Sequence, residues 1–305
     1  AVTLAGLHRE LAAAPAGDRS IVVRTQILPE RLQAADAVVT PELERVIAPT
    51  GGEIARVLRS SSYADAATDP AAVTDLVLFA SLDGIRDHAT LADGRWPEAG
   101  GTAVEVAVSE PAARILGVAT GDRIPLVGRL DGRTVEAVVA GTWRADPADP
   151  YWLGDPLLLA GNDPGGSFRL VGPLVAEAAD LQGPLDGGRP LEAQWRAIPD
   201  LAGFRPENLD QVATSLSGLP GEINAALPGS NQATVTTKLP AILAAVDRSV
   251  LVAQSGILLL LVQFGVLAGY AVILVAALLV DRRRSETALL QARGAGFGHR
   301  VRLAA

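Results

Sequence analysis

The sequence predicts an α+β extracytoplasmic domain followed by one transmembrane α-helix. Three observations carry this. Alternating apolar runs and short helical stretches interleave from Ser20 to Lys238; 25 uncharged residues run from Gly256 to Val280; and three consecutive arginines, Arg282, Arg283 and Arg284, follow almost at once.

The elements follow in order. Leu4, Leu7 and Leu11 recur at helical spacing before the breaker at Pro15, which predicts a short amphipathic helix. Ser20–Ile27 reads as a strand and Pro41–Ile47 as a helix with proline at its start. Glu53–Leu58 and Leu76–Leu82 read as strands, with the small, polar stretch Ser60–Ala72 as a loop between them. A turn-rich segment, Leu91–Gly101, leads into alternating residues Thr102–Ser109 and a helix Glu110–Leu116. Leu116–Gly128 and Arg133–Trp143 predict two strands joined at Asp131-Gly132, a hairpin signal.

The segment Arg144–Gly166 is rich in proline, glycine and aspartate and reads as an exposed acidic excursion, regular only at Pro156–Ala160. Tyr151 and Trp152 stand out in it as aromatics for contact with a partner or a membrane surface, with a small local core as the alternative. Arg189–Ile198 then predicts a strand, Pro206–Leu227 a helix and Ala233–Lys238 a last strand. Leu239–Val280 predicts one continuous helix entering the membrane.

The uncharged stretch would be roughly 37 Å long as a helix rising about 1.5 Å per residue. That crosses a hydrocarbon core of about 30 Å with some tilt. Only Gln263 is strongly polar within it. Gly265 and Gly269 form a small-xxx-small pair that lets another helix approach, and Gln263 can hydrogen-bond across an interface. Cytoplasmic ends of spans are enriched in Lys and Arg, which places Arg282–Arg284 inside the cell and the long N-terminal part outside. After Val280 there are 6 basic and 2 acidic residues, leaving 20 basic and 32 acidic before it.

An exterior that acidic speaks against nucleic acid, which needs a basic patch to displace counterions. No cysteine is present, so neither disulfides nor thiolate metal sites are expected. His8, His88 and His299 are far apart with no metal-ligand spacing, and the four aspartates 146, 149, 155 and 163 match no calcium loop. Gly294, Gly296 and Gly298 fall short of a dinucleotide fingerprint, and no Walker lysine exists. The chain is therefore expected to be no enzyme and to need no cofactor. It opens on Ala1 and holds no methionine, which suggests a piece of a longer or processed protein.

Two stretches resemble one family. "VDRRRSETALLQARGAGFGHRVRLAA" (280–305) resembles the cytoplasmic continuation of the second membrane helix in FtsX-like permeases, the MacB and LolC type of ABC transporter subunit. Arg282–Arg284, Glu286, Leu289-Leu290 and Arg293-Gly294-Ala295 carry the match. Outside the membrane, Gly94, Arg95, Pro97, Val106–Glu110, Ala113, Leu116-Gly117 and Gly121-Asp122 look like that family's "G-R-x-P … VAVSE … LG … GD" stretch. Together these cover about 50 residues, and the segment 144–166 has no counterpart in the pattern.

The resemblance implies four membrane helices in the full protein, with a large external domain between the first and second. Residues 1–95 and 189–245 would form a porter-like α/β subdomain, 96–188 an inserted β-rich one, 246–280 the stalk and span, and 281–305 the start of a cytoplasmic coupling segment. It also implies a separate or fused ABC ATPase docked on Arg283, Glu286, Leu289, Arg293 and Gly294, and packing of the span on other permease helices of a dimer in the lipid membrane. The rival reading is a single-span sensor with a ligand-binding ectodomain, and an enzyme tethered outside comes third.

Overall fold

The computed structural model describes residues 2–68, 73–165, 168–183, 185, 187–227 and 232–292. Residues 1–246 form one compact unit, and a second begins at Asp247. The first unit is a mixed α/β domain built on a single large sheet; the second holds most of one long helix.

The helices are α1 (Val2–Ala13), α2 (Ala16–Arg19), α3 (Leu32–Ile47), α4 (Ile85–His88), α5 (Glu110–Leu116), α6 (Pro156–Leu159), α7 (Ala178–Leu181), α8 (Leu209–Ala226) and α9 (Leu239–Ala292). The strands are β1 (Ile21–Ile27), β2 (Gly52–Asp65), β3 (Asp75–Leu82), β4 (Ala89–Gly94), β5 (Val104–Ser109), β6 (Arg123–Gly128), β7 (Thr134–Ala145), β8 (Asn162–Asp163), β9 (Arg169–Val175), β10 (Leu191–Pro199) and β11 (Thr234–Thr236). The sheet runs β11-β1-β10-β2-β3-β9-β5-β7-β4, with β6 on β2 and β7, and β8 on β9. Among the described residues only the β3–β9 and β5–β7 pairs are parallel.

Strands from 1–95 and from 189–245 alternate at one end of the sheet: β1 lies between β11 and β10, and β10 pairs β2 with Trp195 opposite Arg56. Strands from 96–188 continue the same sheet through the β3–β9 ladder. Side chains of successive strand residues point to opposite faces, and two cores result. Leu58, Val77, Phe79, Val106 and Trp195 belong to the larger core with α3 and α8. Val57, Leu78, Ala80, Ala107 and Trp143 belong to the smaller one.

The sequence reading needs correction at several elements. β2 does not stop at Leu58 but bends at an irregularity between Arg59 and Ser62 and continues to Asp65. There the Ser60 hydroxyl accepts the Phe79 N–H at 3.0 Å in place of a ladder carbonyl, and Tyr63 packs edge-on against Phe79. α3 begins at Leu32, nine residues before Pro41, because Leu32, Ala35, Val39, Leu43 and Val46 form one buried stripe that the proline does not interrupt. β4, β8 and β9 are strands where none was expected.

The outer motif residues turn out to be chain-shaping. Ser109 caps α5 by accepting the Ala112 N–H at 3.3 Å, and Gly117 ends it in the left-handed region at φ 68°. The Asp122 carboxylate accepts the Ala119 N–H at 2.8 Å. Gly94 and Gly141 let two backbones touch: a Cβ on Gly141 would lie 2.5 Å from the Arg95 carbonyl oxygen. That crossing places Trp96 and Pro97 beside the ends of β3 and β9.

Candidate functional site

Three regions of the molecule are set apart by their chemistry. The first is the apolar part of α9. From Leu260 to Leu279 it has a mean hydropathy of 2.3 with no residue buried, and it is long and apolar enough to cross a membrane. Phe264 is 68% exposed and Ile273 67%. Burying such a side chain is worth about 1.5–3 kcal/mol, so the segment calls for an apolar surrounding.

Gln263, Gly265 and Gly269 all lie on this exposed stretch, and a Cβ added at either glycine meets nothing within 4 Å. At about 100° of turn per residue, Gly265 and Gly269 share a face whereas Gln263 lies nearly opposite Gly265. The amide and the glycine pair therefore lie on different faces of the helix. Arg283, Glu286 and Leu289 fall on the helical backbone of α9, which reaches Ala292. Arg293 and Gly294 lie outside the described residues.

The second region is the segment after β7. It is docked against the sheet, and Tyr151 and Trp152 are 2% and 0% exposed. Read as surface aromatics, they are instead the centre of the smaller core, as the alternative of a local core has it. Trp152 stacks on Trp143 at 5.3 Å between centroids, and the Tyr151 hydroxyl donates to the Asp83 carbonyl at 2.8 Å.

Its four aspartates shape the backbone. Asp146, Asp149, Asp155 and Asp163 accept N–H bonds from Ala148, Tyr151, Leu157 and Gly165, each two residues on, at 2.9, 2.9, 3.0 and 3.2 Å. Each is followed by proline, and Asp-Pro is a turn or helix-start signal because the carboxylate caps while the proline needs no N–H partner. This fourfold repeat was the sequence signal for a built segment.

Two further contacts hold it down. Asp155 pairs Arg59 at 2.5 Å and Arg196 at 3.5 Å. Burial, reinforced by the Arg59 charge, pulls the Arg196 pKa down to about 10. Asp149 meets Nδ1 of His88 at 2.8 Å, while Glu53 meets Nε2 at 3.1 Å. Burial pushes the His88 pKa down, but the two carboxylates outweigh it and the net shift is upward.

The third region is a pair of clefts that share Asp83. One, of about 430 Å³, is lined by Asp36, Pro41, Arg56 and Trp195. Arg56 pairs with Asp36 and lies 3.3 Å from Asp83, and the Trp195 indole N–H donates to Asp36 at 2.7 Å. The other, of about 510 Å³, is lined by Asp83, Arg86, Asp87, Trp96, Val175 and Glu177, among others. Burial raises the Asp83 pKa; Arg56 opposes this, and Asp36 and Glu177 add to it. None of the residues picked from the sequence for function lines these clefts. Among the described residues no group of three or more His, Asp or Glu is placed to hold a metal ion.

The sequence matches no family profile and no curated protein. Among solved structures the chain is similar to a domain of a protein assigned as a permease in Porphyromonas gingivalis. The identity is 17% over 67% of this chain and 84% of that one, with a TM-score of 0.33. A superposition that loose does not assign a shared fold.

Proposed function

We propose that this chain is the outer domain, second membrane helix and start of the coupling segment of a permease subunit in an ABC transporter of the FtsX-like type. ATP is hydrolysed by a partner chain or fused domain, and this chain itself is no enzyme. The observation that carries the reading is α9. One helix of 54 residues starts in the outer domain, where Leu239 and Leu243 are buried in the larger core. It then takes in the exposed apolar run and passes Arg282–Arg284. The two motif stretches at 94–122 and 280–305 support the same assignment.

On this reading the ATPase docks at Arg283, Glu286, Leu289, Arg293 and Gly294, and its motion is passed along the helix to the outside. Gly265 and Gly269 pack on one permease helix of the dimer and Gln263 on another. Cargo would be a lipoprotein, peptide or lipid handled on the outer side.

The test is hydrolysis by the cognate ATPase, reconstituted in lipid nanodiscs with and without the full-length permease. Hydrolysis should depend on the permease, and Arg283→Glu with Glu286→Lys should remove that dependence while leaving membrane insertion intact. Hydrolysis indifferent to the whole chain would contradict the proposal. A full-length protein that continues into a phosphorylated kinase domain would favour the sensor instead.

A further inference from the structure

The larger of the two clefts opens where β3 and β9, a parallel pair, both end. At about 510 Å³ this cleft falls within the range of small-molecule sites, about 300–1,000 Å³. Its walls are apolar in part, from Leu82, Ile85 and Val175, with Trp96 half-buried at the rim.

The polar groups converging on it are unbalanced. Three carboxylates, of Asp83, Asp87 and Glu177, face one guanidinium, of Arg86, which Glu177 already holds at 2.8 Å. Asp87 has no ion-pair partner among the described residues. Asp83 lies 3.3 Å from Arg56, a cation it shares with Asp36. An anion would meet repulsion here. A neutral polyol could donate to these carboxylates but would leave their excess charge uncompensated. A cation gains from both the carboxylates and the face of an indole.

We propose that this cleft binds an organic cation, a primary ammonium or guanidinium on a short alkyl chain, with its charged head on Asp83 and Asp87 and its chain against Trp96. The chemistry is the same whether the cation is a free alkyl amine or guanidine or the Lys or Arg side chain of a polypeptide. The inference does not depend on the transport reading, because a permease and a sensor alike would present this cleft on the outer domain.

The experiment is calorimetric titration of the full chain in detergent with agmatine and, separately, with glycyl-arginyl-glycine amide, using glutarate as the anionic control. At least one cation should bind saturably and glutarate should not. Asp87→Asn should weaken binding about tenfold, the loss expected for one charge-assisted contact, at an unchanged melting temperature. Trp96→Ala should weaken it as well. Agmatine binding alone assigns the site to a free alkyl amine or guanidine, and peptide binding alone to a polypeptide side chain; either supports the proposal. Failure of both to saturate by about 10 mM, an affinity too weak to count as a site, would overturn it. So would an Asp87→Asn protein that binds like the parent.

Discussion

The His88 ring lies flat on Tyr151, with ring centroids 4.0 Å apart and planes 7° from parallel. His88 ends the short helix α4, Tyr151 belongs to the docked segment, and Glu53 is the second residue of β2. Three stretches distant in sequence are thus clasped at one imidazole, between the Asp149 and Glu53 carboxylates.

A doubly protonated imidazole can donate to both carboxylates, whereas a neutral one can donate to only one. Because the folded pKa of His88 is raised, its contribution is complete below the ordinary value of 6.5 and is lost as pH rises through the folded value. Denaturant titrations at successive pH values should show the parent losing under about 1 kcal/mol relative to His88→Gln as pH climbs from 6 to 9. A constant difference would mean that the imidazole does not titrate in the clasp.

Trp152 fills the smaller core, and its indole N–H and that of Trp143 have no hydrogen-bond partner among the described residues. Trp152→Ala should cost about 3–5 kcal/mol by leaving a cavity. Trp152→Phe should cost well under half of that, because it also removes an unsatisfied donor. Equilibrium unfolding in urea distinguishes the two. An Ala variant of parental stability would show that the segment does not close this core.

Asp155 is the countercharge of two arginines, of which Arg196 is 3% exposed and has an Nη1 without a partner among the described residues. Asp155→Ala should therefore cost about 3–5 kcal/mol, the penalty of stranding buried charge. In an Arg196→Met background the same change should cost markedly less. Additive effects in that double-mutant cycle would show that the pair does not interact.

The parts of the fold that were legible in the sequence obey a local rule. Ser109 and Gly117 bracket α5, Asp131-Gly132 marks the β6–β7 turn, and alternating Ile21, Val23 and Ile27 mark β1. What was missed depends on partners remote in sequence. β9 carries Pro173, which reads as a strand breaker. Its ladder with β3 steps over residues 172 and 173, so no N–H is needed there. Ser60–Asp65 has a loop's composition and becomes strand because Tyr63 finds Phe79. The acidic look of 144–166 suggested water, whereas its carboxylates are spent on backbone amides, on His88 and on Arg59. The clefts around Asp83 were invisible because Asp36, Arg56, Asp83 and Trp195 come from α3, the sheet and a loop, with no spacing to unite them.

The central claim is that Leu260–Leu279 crosses the bilayer with the sheet domain outside and the arginines inside. The chain has no cysteine, so single substitutions report cleanly. Leu130, 67% exposed at the β6–β7 turn, and Ser285, just past the arginines, are the probe positions. In intact cells a membrane-impermeant maleimide should label Leu130→Cys at once and Ser285→Cys only after permeabilisation. Equal labelling of both in intact cells, the reverse order, or recovery of the protein in the soluble fraction would contradict the account.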